Sequence, residues 1–242
     1  MTQAVHQASA SAPAVSPYLR PRDAATLILI DRSANPPKVL LGRRHANHVF
    51  MPGKFVFPGG RVEPQDRLMP FVHPLHPQAE AWLMKQTIRP SVARARAFAL
   101  AAIRETFEET GLLLGGTRAD APPVPAGPWS DFAKTGFYPD LGAVHFIARA
   151  ITPPGRTRRF DARFFCADAS AIVHRAENVI HPEAELVELV WLPITEAKRI
   201  DLPGITGKVL DELLARSAAG LTHDLPVPIF RTRRGKHGRE LL

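Results

Sequence analysis

Apolar and polar positions alternate along the chain in short runs that predict strands, and one longer run predicts a helix. The predicted strands cover residues 26–30, 38–42, 55–57, 144–151, 163–167 and 186–192. Residues 92–110 contain no helix breaker, follow Pro90-Ser91 and precede Gly111, so they predict the longest helix. Shorter helices are predicted at 78–87, 194–200 and 207–217. This mixture of strands and helices favours an α/β fold.

The two ends of the chain differ in composition from its middle. Residues 1–22 are rich in Ala, Ser, Gln and Pro and lack the charged start and apolar segment of a secretory signal, so they predict a disordered tail. Basic residues crowd the end of the chain and predict a C-terminal tail at 231–242. Between the tails, residues 23–230 show neither a repeat nor a break in composition and predict a single domain.

Composition narrows the class of protein. Of the 242 residues, 45% are hydrophobic and 22% are charged, which is typical of a soluble globular protein. No apolar run approaches the roughly 18–20 residues that span a bilayer. The single cysteine excludes a disulfide framework, and we expect a cytoplasmic protein. The formal charge of +8 favours an anionic partner such as a phosphorylated small molecule, unless the basic tail alone accounts for it.

The end of the long helix carries an unusual concentration of charge. Glu105, Glu108 and Glu109 are three or four positions apart and therefore share one face, with Arg104 one turn before Glu108. Carboxylates this close repel one another unless a cation neutralises them, and oxygen ligands suit Mg²⁺ or Mn²⁺. The spacing alone leaves two alternatives, a metal site and a solvated charged face.

A glycine turn follows the third predicted strand, in the segment Pro58-Gly59-Gly60. Adjacent glycines allow backbone angles and close approaches that other residues resist. Together, the turn and the acidic helix resemble the box of the Nudix hydrolases, G-x5-E-x7-R-E-U-x-E-E-x-G-U, where U is aliphatic. The first glycine of the box aligns with Gly60, and its second half aligns with Arg104, Glu105, Glu108, Glu109, Gly111 and Leu112.

The chain departs from this pattern in three ways. Asp66 occupies the first acidic position, and Thr106 occupies an aliphatic one. The third departure is an insertion between about residues 67 and 90, which splits the box and which we expect to shape the substrate pocket. A split box and the segment 159–165 resemble the coenzyme A diphosphatase branch of the family. A second coenzyme A motif of the family matches at Gly53, but Val49 stands at its arginine position.

The resemblance implies an α/β/α sandwich with a mixed sheet and a loop–helix–loop metal site. It implies an enzyme that uses water to cleave X linked to a nucleoside diphosphate. Glu105 and Glu109 would bind Mg²⁺ or Mn²⁺ together with Glu108, and Arg104 and Glu108 would act in catalysis. Gly59, Gly60 and Gly111 would shape the backbone.

Other roles are less directly implied. Arg43, Arg44 and Arg159 are candidates to hold substrate phosphates. The general base is either a glutamate of the box or one of two glutamates before a late strand, Glu183 and Glu185.

Several functions fit this reading. The favoured substrate is a small-molecule diphosphate, coenzyme A or acyl-coenzyme A, giving 3′,5′-ADP and 4′-phosphopantetheine. The alternatives are hydrolysis of ADP-ribose or NADH and a non-catalytic module that senses a nucleotide. The basic run at 231–237 lacks interleaved aromatic residues, so we expect no nucleic-acid partner and no membrane partner. The oligomeric state, monomer or homodimer, stays open.

Overall fold

The computed structural model describes residues 19–48 and 51–242. Most of the predicted N-terminal tail lies outside these residues. The first strand begins at Arg22, where the Arg22 N–H donates to the carbonyl of Arg159, so the domain starts slightly before the predicted boundary at residue 23. No helix within the described ranges is long and apolar enough to cross a membrane.

The strands are β1 (Arg22–Asp31), β2 (Lys38–Arg44), β3 (Phe55–Val56), β4 (Gly59–Arg61), β5 (Leu112–Gly116), β6 (Tyr138–Pro139), β7 (His145–Ile151), β8 (Phe160–Asp168), β9 (Ile172–Arg175), β10 (Leu186–Pro193), β11 (Pro228–Arg233) and β12 (Lys236–Leu241). The α-helices are α1 (Pro77–Met84), α2 (Val92–Thr110), α3 (Ser130–Lys134), α4 (Ile194–Ala197) and α5 (Gly204–Ala218).

The main sheet has the order β10-β2-β1-β8-β7-β11-β12, with β3 added to β2 and β4 added to β1. It is mixed, because β1–β8 and β7–β11 are parallel pairs and the other pairs are antiparallel. A smaller sheet has the order β6-β5-β9. Alternation along β1 sends Leu27 and Leu29 to the α2 side and Ile28 and Ile30 to the α5 side. Two helical layers therefore enclose the sheet, and the predicted α/β/α sandwich is confirmed.

Helix α2 occupies the residues that the sequence predicts for it. Ser91 caps its start, since the Ser91 hydroxyl accepts from the Arg94 N–H at 3.2 Å. Gly111 ends it with a left-handed φ of 76°. A Cβ at Gly111 would lie 2.6 Å from the Ala176 carbonyl oxygen, so this glycine is also required for close packing.

The segment between residues 67 and 90 is built into the core. Met69, Leu75, Ala79 and Leu83 are almost fully buried and pack in the same cluster as α2. Helix α1 lies against α2 and β7. The expectation that this segment shapes the substrate pocket stays a prediction.

The C-terminal tail predicted at 231–242 is wrong. The chain there forms β12 and the end of β11, paired from Pro228–Leu241 to Arg233–Lys236 around an Arg234-Gly235 turn in which both residues have positive φ. Leu242 packs in the core. The basic side chains of this segment project from a strand at the edge of the sheet, where charge is favourable because it discourages pairing with other chains.

Replacing Leu83 with Ala tests whether the 67–90 segment belongs to the core. Leu83 is 2% exposed, so its truncation leaves a cavity, and we expect the free energy of unfolding to fall by about 2–5 kcal/mol. Leu68→Ala is the control, because Leu68 lies in the same segment but is 70% exposed. Denaturant unfolding measures both variants. Equal, small losses would show that the segment packs loosely.

Candidate active site

The Pro58-Gly59-Gly60 turn brings the start of the sheet against the acidic end of α2. A Cβ at Gly60 would lie 2.4 Å from the carboxyl carbon of Glu105, so only glycine leaves room for that carboxylate. The Gly59 N–H donates to Glu109 Oε2 at 3.1 Å. A Cβ at Gly59 would lie 2.5 Å from the Ala25 carbonyl oxygen. Gly59 is therefore required by the adjacent backbone, and a larger residue at Gly60 would displace the Glu105 carboxylate.

Arg104 is buried beneath this turn, with 2% of its surface exposed. Its Nε donates to Asp66 Oδ1 at 2.9 Å, and its Nη2 donates to the Arg61 carbonyl oxygen at 2.9 Å. Its Nη1 donates to Glu105 Oε1 at 2.9 Å and to Glu108 Oε2 at 3.0 Å. Burial alone would lower the pKa of Arg104, but the Asp66 hydrogen bond and the surrounding carboxylates raise it above its ordinary value.

Asp66 is fully buried and is used as a hydrogen-bond acceptor. Besides Arg104, it accepts from the Glu63 N–H at 2.7 Å and from the Trp129 indole Nε1–H at 3.0 Å. The first acidic position of the box therefore holds Arg104 in place. Trp129 is a residue of this site that the sequence reasoning missed, since the run around it reads as a Pro/Gly-rich loop.

The surroundings of the three helix carboxylates act differently on their pKa values. Besides burial, the charge of Glu105 raises the pKa of Glu109, and the charge of Glu108 raises the pKa of Glu105. The Glu108 side chain pairs with Arg104 and is the most exposed of the three. Burial raises the pKa of Glu105 to about 7. Burial, followed by the charges of Glu185 and Glu105, raises the pKa of Glu109 well above its ordinary value. Burial also raises the pKa of Glu108.

Two residues from the neighbouring strands complete the cluster around Glu109. Arg44, at the end of β2, places its Nη1 2.7 Å from Glu185 Oε1, just before β10. The same Arg44 nitrogen lies 3.0 Å from His48 Nδ1. The charge of Arg44 lowers the pKa of Glu109, opposing the effect of Glu185. The structure therefore brings together Arg44 from β2, Glu185 from the loop before β10 and Glu109 from α2.

The other candidates lie elsewhere. Arg43 donates from Nε to Glu188 Oε2 at 2.7 Å in a half-exposed pair, as expected for the neighbour of Arg44 on an alternating strand. Arg159 donates from Nε to the Thr152 carbonyl oxygen at 3.0 Å. Glu183 is exposed, and its backbone N–H donates to His181 Nδ1. These contacts give no support for phosphate binding by Arg43 or Arg159, or for Glu183 as a base.

The donor set fits a divalent cation held by two carboxylates. Within residues 19–48 and 51–242, no three His, Cys, Asp or Glu side chains are grouped to hold a metal ion, and the assignment of Glu105, Glu108 and Glu109 as metal ligands stays a prediction. Glu105 and Glu109 lie one turn apart on α2, the first partly buried and the second buried, and both are acidic. Mg²⁺ commonly uses one or two carboxylates, with water and substrate phosphates as its other ligands.

Comparisons with known proteins agree with this geometry. A NUDIX hydrolase from Alicyclobacillus acidocaldarius matches with a TM-score of 0.64 and 27% identity, covering 86% of this chain and 97% of that one. The chain has a Nudix hydrolase fold. The resemblance read from the split box is thereby confirmed. No protein-family model matches the chain.

Two curated proteins of the Nudix type are also similar in sequence. The acyl-coenzyme A diphosphatase of Homo sapiens is 28% identical over 250 aligned residues, which cover 76% of this chain and 65% of that protein. The corresponding protein of Gallus gallus is 29% identical over 244 residues, covering 76% of this chain and 64% of that protein. This chain therefore spans slightly less than two thirds of the length of either relative.

Glu109→Gln should stabilise the metal-free protein at alkaline pH. Because the pKa of Glu109 is raised on folding, ionisation favours the unfolded chain, and this loss of stability develops as pH rises from the ordinary carboxyl range. Thermal unfolding with a chelator should show Tm a few degrees above wild type at pH 8, with the two converging toward pH 4.5.

Glu108→Gln is the matched control, since Glu108 is more exposed and pairs with Arg104. The pKa of Glu108 is raised less than that of Glu109, so we expect Glu108→Gln to raise Tm at pH 8 by less than Glu109→Gln does. A Glu109→Gln variant that is less stable than wild type at pH 8 would contradict this account of the cluster.

Proposed function

We propose that this protein is an enzyme that hydrolyses a diphosphate linkage in a nucleotide-like small molecule with the help of Mg²⁺ or Mn²⁺. The observation that carries the proposal is the pair formed by the partly buried Glu105 and the buried Glu109 against the Gly59-Gly60 turn. Holding two like charges in this position costs stability, and a bound divalent cation offsets that cost. A helix end with a purely structural role would be more stable without these two neighbouring carboxylates.

Glu105 and Glu109 would hold the cation. When bound, it would neutralise charge on the diphosphate and lower the pKa of a bound water. Arg104 would keep Glu105 and Glu108 oriented through its Nη1. Gly59 would orient Glu109 through its N–H.

Glu185 is the general base in this proposal. Its carboxylate lies beside Glu109, is partly exposed and is held by Arg44. Water attacks one phosphorus and gives its proton to Glu185, while the bond from that phosphorus to the bridging oxygen breaks and the other phosphate leaves. Arg44 places a positive charge where an incoming diphosphate would lie.

Coenzyme A or acyl-coenzyme A is the substrate that we propose. The support comes from the similarity to two acyl-coenzyme A diphosphatases and from the formal charge of +8, which suits a polyanion. The products would be 3′,5′-ADP and 4′-phosphopantetheine or its acyl form. Val49, which stands at the arginine position of the second coenzyme A motif, lies outside the described residues.

A substrate panel tests the proposal directly. Coenzyme A, an acyl-coenzyme A, ADP-ribose and NADH are incubated with Mg²⁺, Mn²⁺ or a chelator, and products are identified by mass. We expect cation-dependent cleavage of the coenzyme A compounds. Cleavage of ADP-ribose or NADH alone would refute the substrate, full activity in chelator would refute the metal, and no cleavage at all would favour the nucleotide-sensing alternative.

Loss of either metal-binding carboxylate should abolish most activity. Replacing an outer partner of a metal ligand commonly costs 10–100-fold, so Glu105→Gln and Glu109→Gln should each lower kcat at least about 100-fold. Steady-state kinetics over a range of Mn²⁺ concentrations measures this effect. Glu188→Gln is the control, since Glu188 pairs with Arg43 on the surface. Wild-type kcat in either box variant would contradict the ligand assignment.

Glu185→Gln separates the base from the metal site. We expect kcat to fall by about 10²–10⁴-fold, because proton acceptance is lost, while Mn²⁺ affinity changes little. Glu183→Gln controls for charge on the same segment and should retain activity, since it is Glu185 that pairs with Arg44 and acts on Glu109. If Glu183→Gln is the inactive variant, the base has been misassigned.

A further inference from the structure

Trp129 connects a distant part of the chain to the buried Asp66–Arg104 pair. Its indole is fully buried, and Nε1–H donates to Asp66 Oδ1 at 3.0 Å. The same Asp66 oxygen accepts from Arg104 Nε at 2.9 Å. Arg104 in turn donates to Glu105. A continuous series of hydrogen bonds therefore runs from the indole to a carboxylate of the acidic pair.

Packing fixes the indole independently of this hydrogen bond. Trp129 and Phe132 meet edge to face with ring centroids 5.2 Å apart. Phe132 meets Phe107 of α2 in the same manner, also at 5.2 Å. The three rings hold the start of α3 against α2, so the indole N–H is aimed by a rigid group.

The bond matters because it constrains how Asp66 meets Arg104. Oδ1 is shared by the indole and Arg104 Nε, while Oδ2 accepts from the Glu63 N–H at 2.7 Å and from Arg104 Nη2 at 3.2 Å. With both oxygens fixed, the carboxylate plane cannot rotate, and the guanidinium that lies against it is fixed too. Hydrogen bonds are strong in such a dry environment, and losing one leaves a buried partner unsatisfied.

We propose that Trp129 is a positioning residue of the active site, which sets the orientation of Glu105 through Asp66 and Arg104. This inference rests on the proposed function, because it takes Glu105 as a ligand of the divalent cation. It assigns to the segment before α3 a role in the metal site, although no residue of that segment belongs to the box.

Trp129→Phe removes the N–H and keeps an aromatic ring in the same place. Calorimetry of Mn²⁺ binding without substrate should show about 10-fold weaker affinity, the lower range for loss of an outer partner. Phe132→Leu is the matched control, because Phe132 belongs to the same ring cluster and lacks the bond to Asp66. It should lose less Mn²⁺ affinity than Trp129→Phe even if Tm falls, because the indole N–H and its acceptor Asp66 are both retained. Unchanged affinity in Trp129→Phe, or an equal loss in Phe132→Leu, would overturn the proposal.

A measurement on the wild-type protein removes the dependence on a folded variant. The chain has 3 tryptophans, so NMR should resolve their indole N–H signals, with the Trp129 signal assigned through its proximity to the Phe132 ring. We expect Mg²⁺ titration to shift the Trp129 signal and leave the signal of the partly exposed Trp191 in place. An unshifted Trp129 signal at saturation would overturn the proposal.

The two experiments also separate this inference from the proposed function. A wild-type protein that binds neither cation refutes the proposed function and this inference with it. Wild-type binding together with an unaffected Trp129→Phe variant refutes the inference alone. Activity is not needed for either decision.

Discussion

The buried guanidinium of Arg104 is the group on which the geometry of the active-site region depends. Three pieces of chain meet at it, namely the carbonyl of Arg61 after the glycine turn, Asp66 in the short 3-10 turn that follows, and Glu105 and Glu108 of α2. A charge taken out of water at this depth is tolerated only if its donors are paired, and removal of a partner leaves an uncompensated charge. The same hydrogen bonds that make this cluster around Arg104 costly to disturb also make it rigid.

The pair of Glu105 and Glu109 lies beside this rigid cluster and is energetically unfavourable. Arg104 compensates Glu105 on one side, and Arg44 offsets part of the charge of Glu109 on the other, but Arg44 is shared with Glu185. Local rules of burial and charge are therefore violated where the chemistry is proposed, and satisfied immediately beneath it. This arrangement of unfavourable and favourable charges is expected at a cation site, where like charges lower the stability of the cation-free protein.

Helices and strands whose ends and faces are marked by nearby residues can be predicted from the sequence. Helix α2 was predicted residue for residue, because Ser91 and Gly111 mark its ends and apolar residues mark one face. The C-terminal hairpin was misread because its strand side chains are basic, although Arg234-Gly235 was an available turn signal. Strands β5 and β9 were missed because they are short and pair with each other across the chain. The sequence does not show which of Arg43 and Arg44 faces the active site. Alternation along β2 places them on opposite faces of the sheet without indicating which face holds the site.

Long-range contacts account for the rest of what the sequence could not reveal. Asp66 is 38 positions from Arg104 and 63 from Trp129, yet all three meet through hydrogen bonds of about 3 Å in the folded chain. Splitting the box costs little in loop entropy, since that cost rises only slowly with length. The split is tolerated because an ion pair with Arg104 and a hydrogen bond from the Trp129 indole hold Asp66 against α2. In addition, Met69 and Leu83 anchor the intervening chain in the core. The box therefore acts through the positions of its groups in space, and a contiguous sequence is only one way of obtaining them.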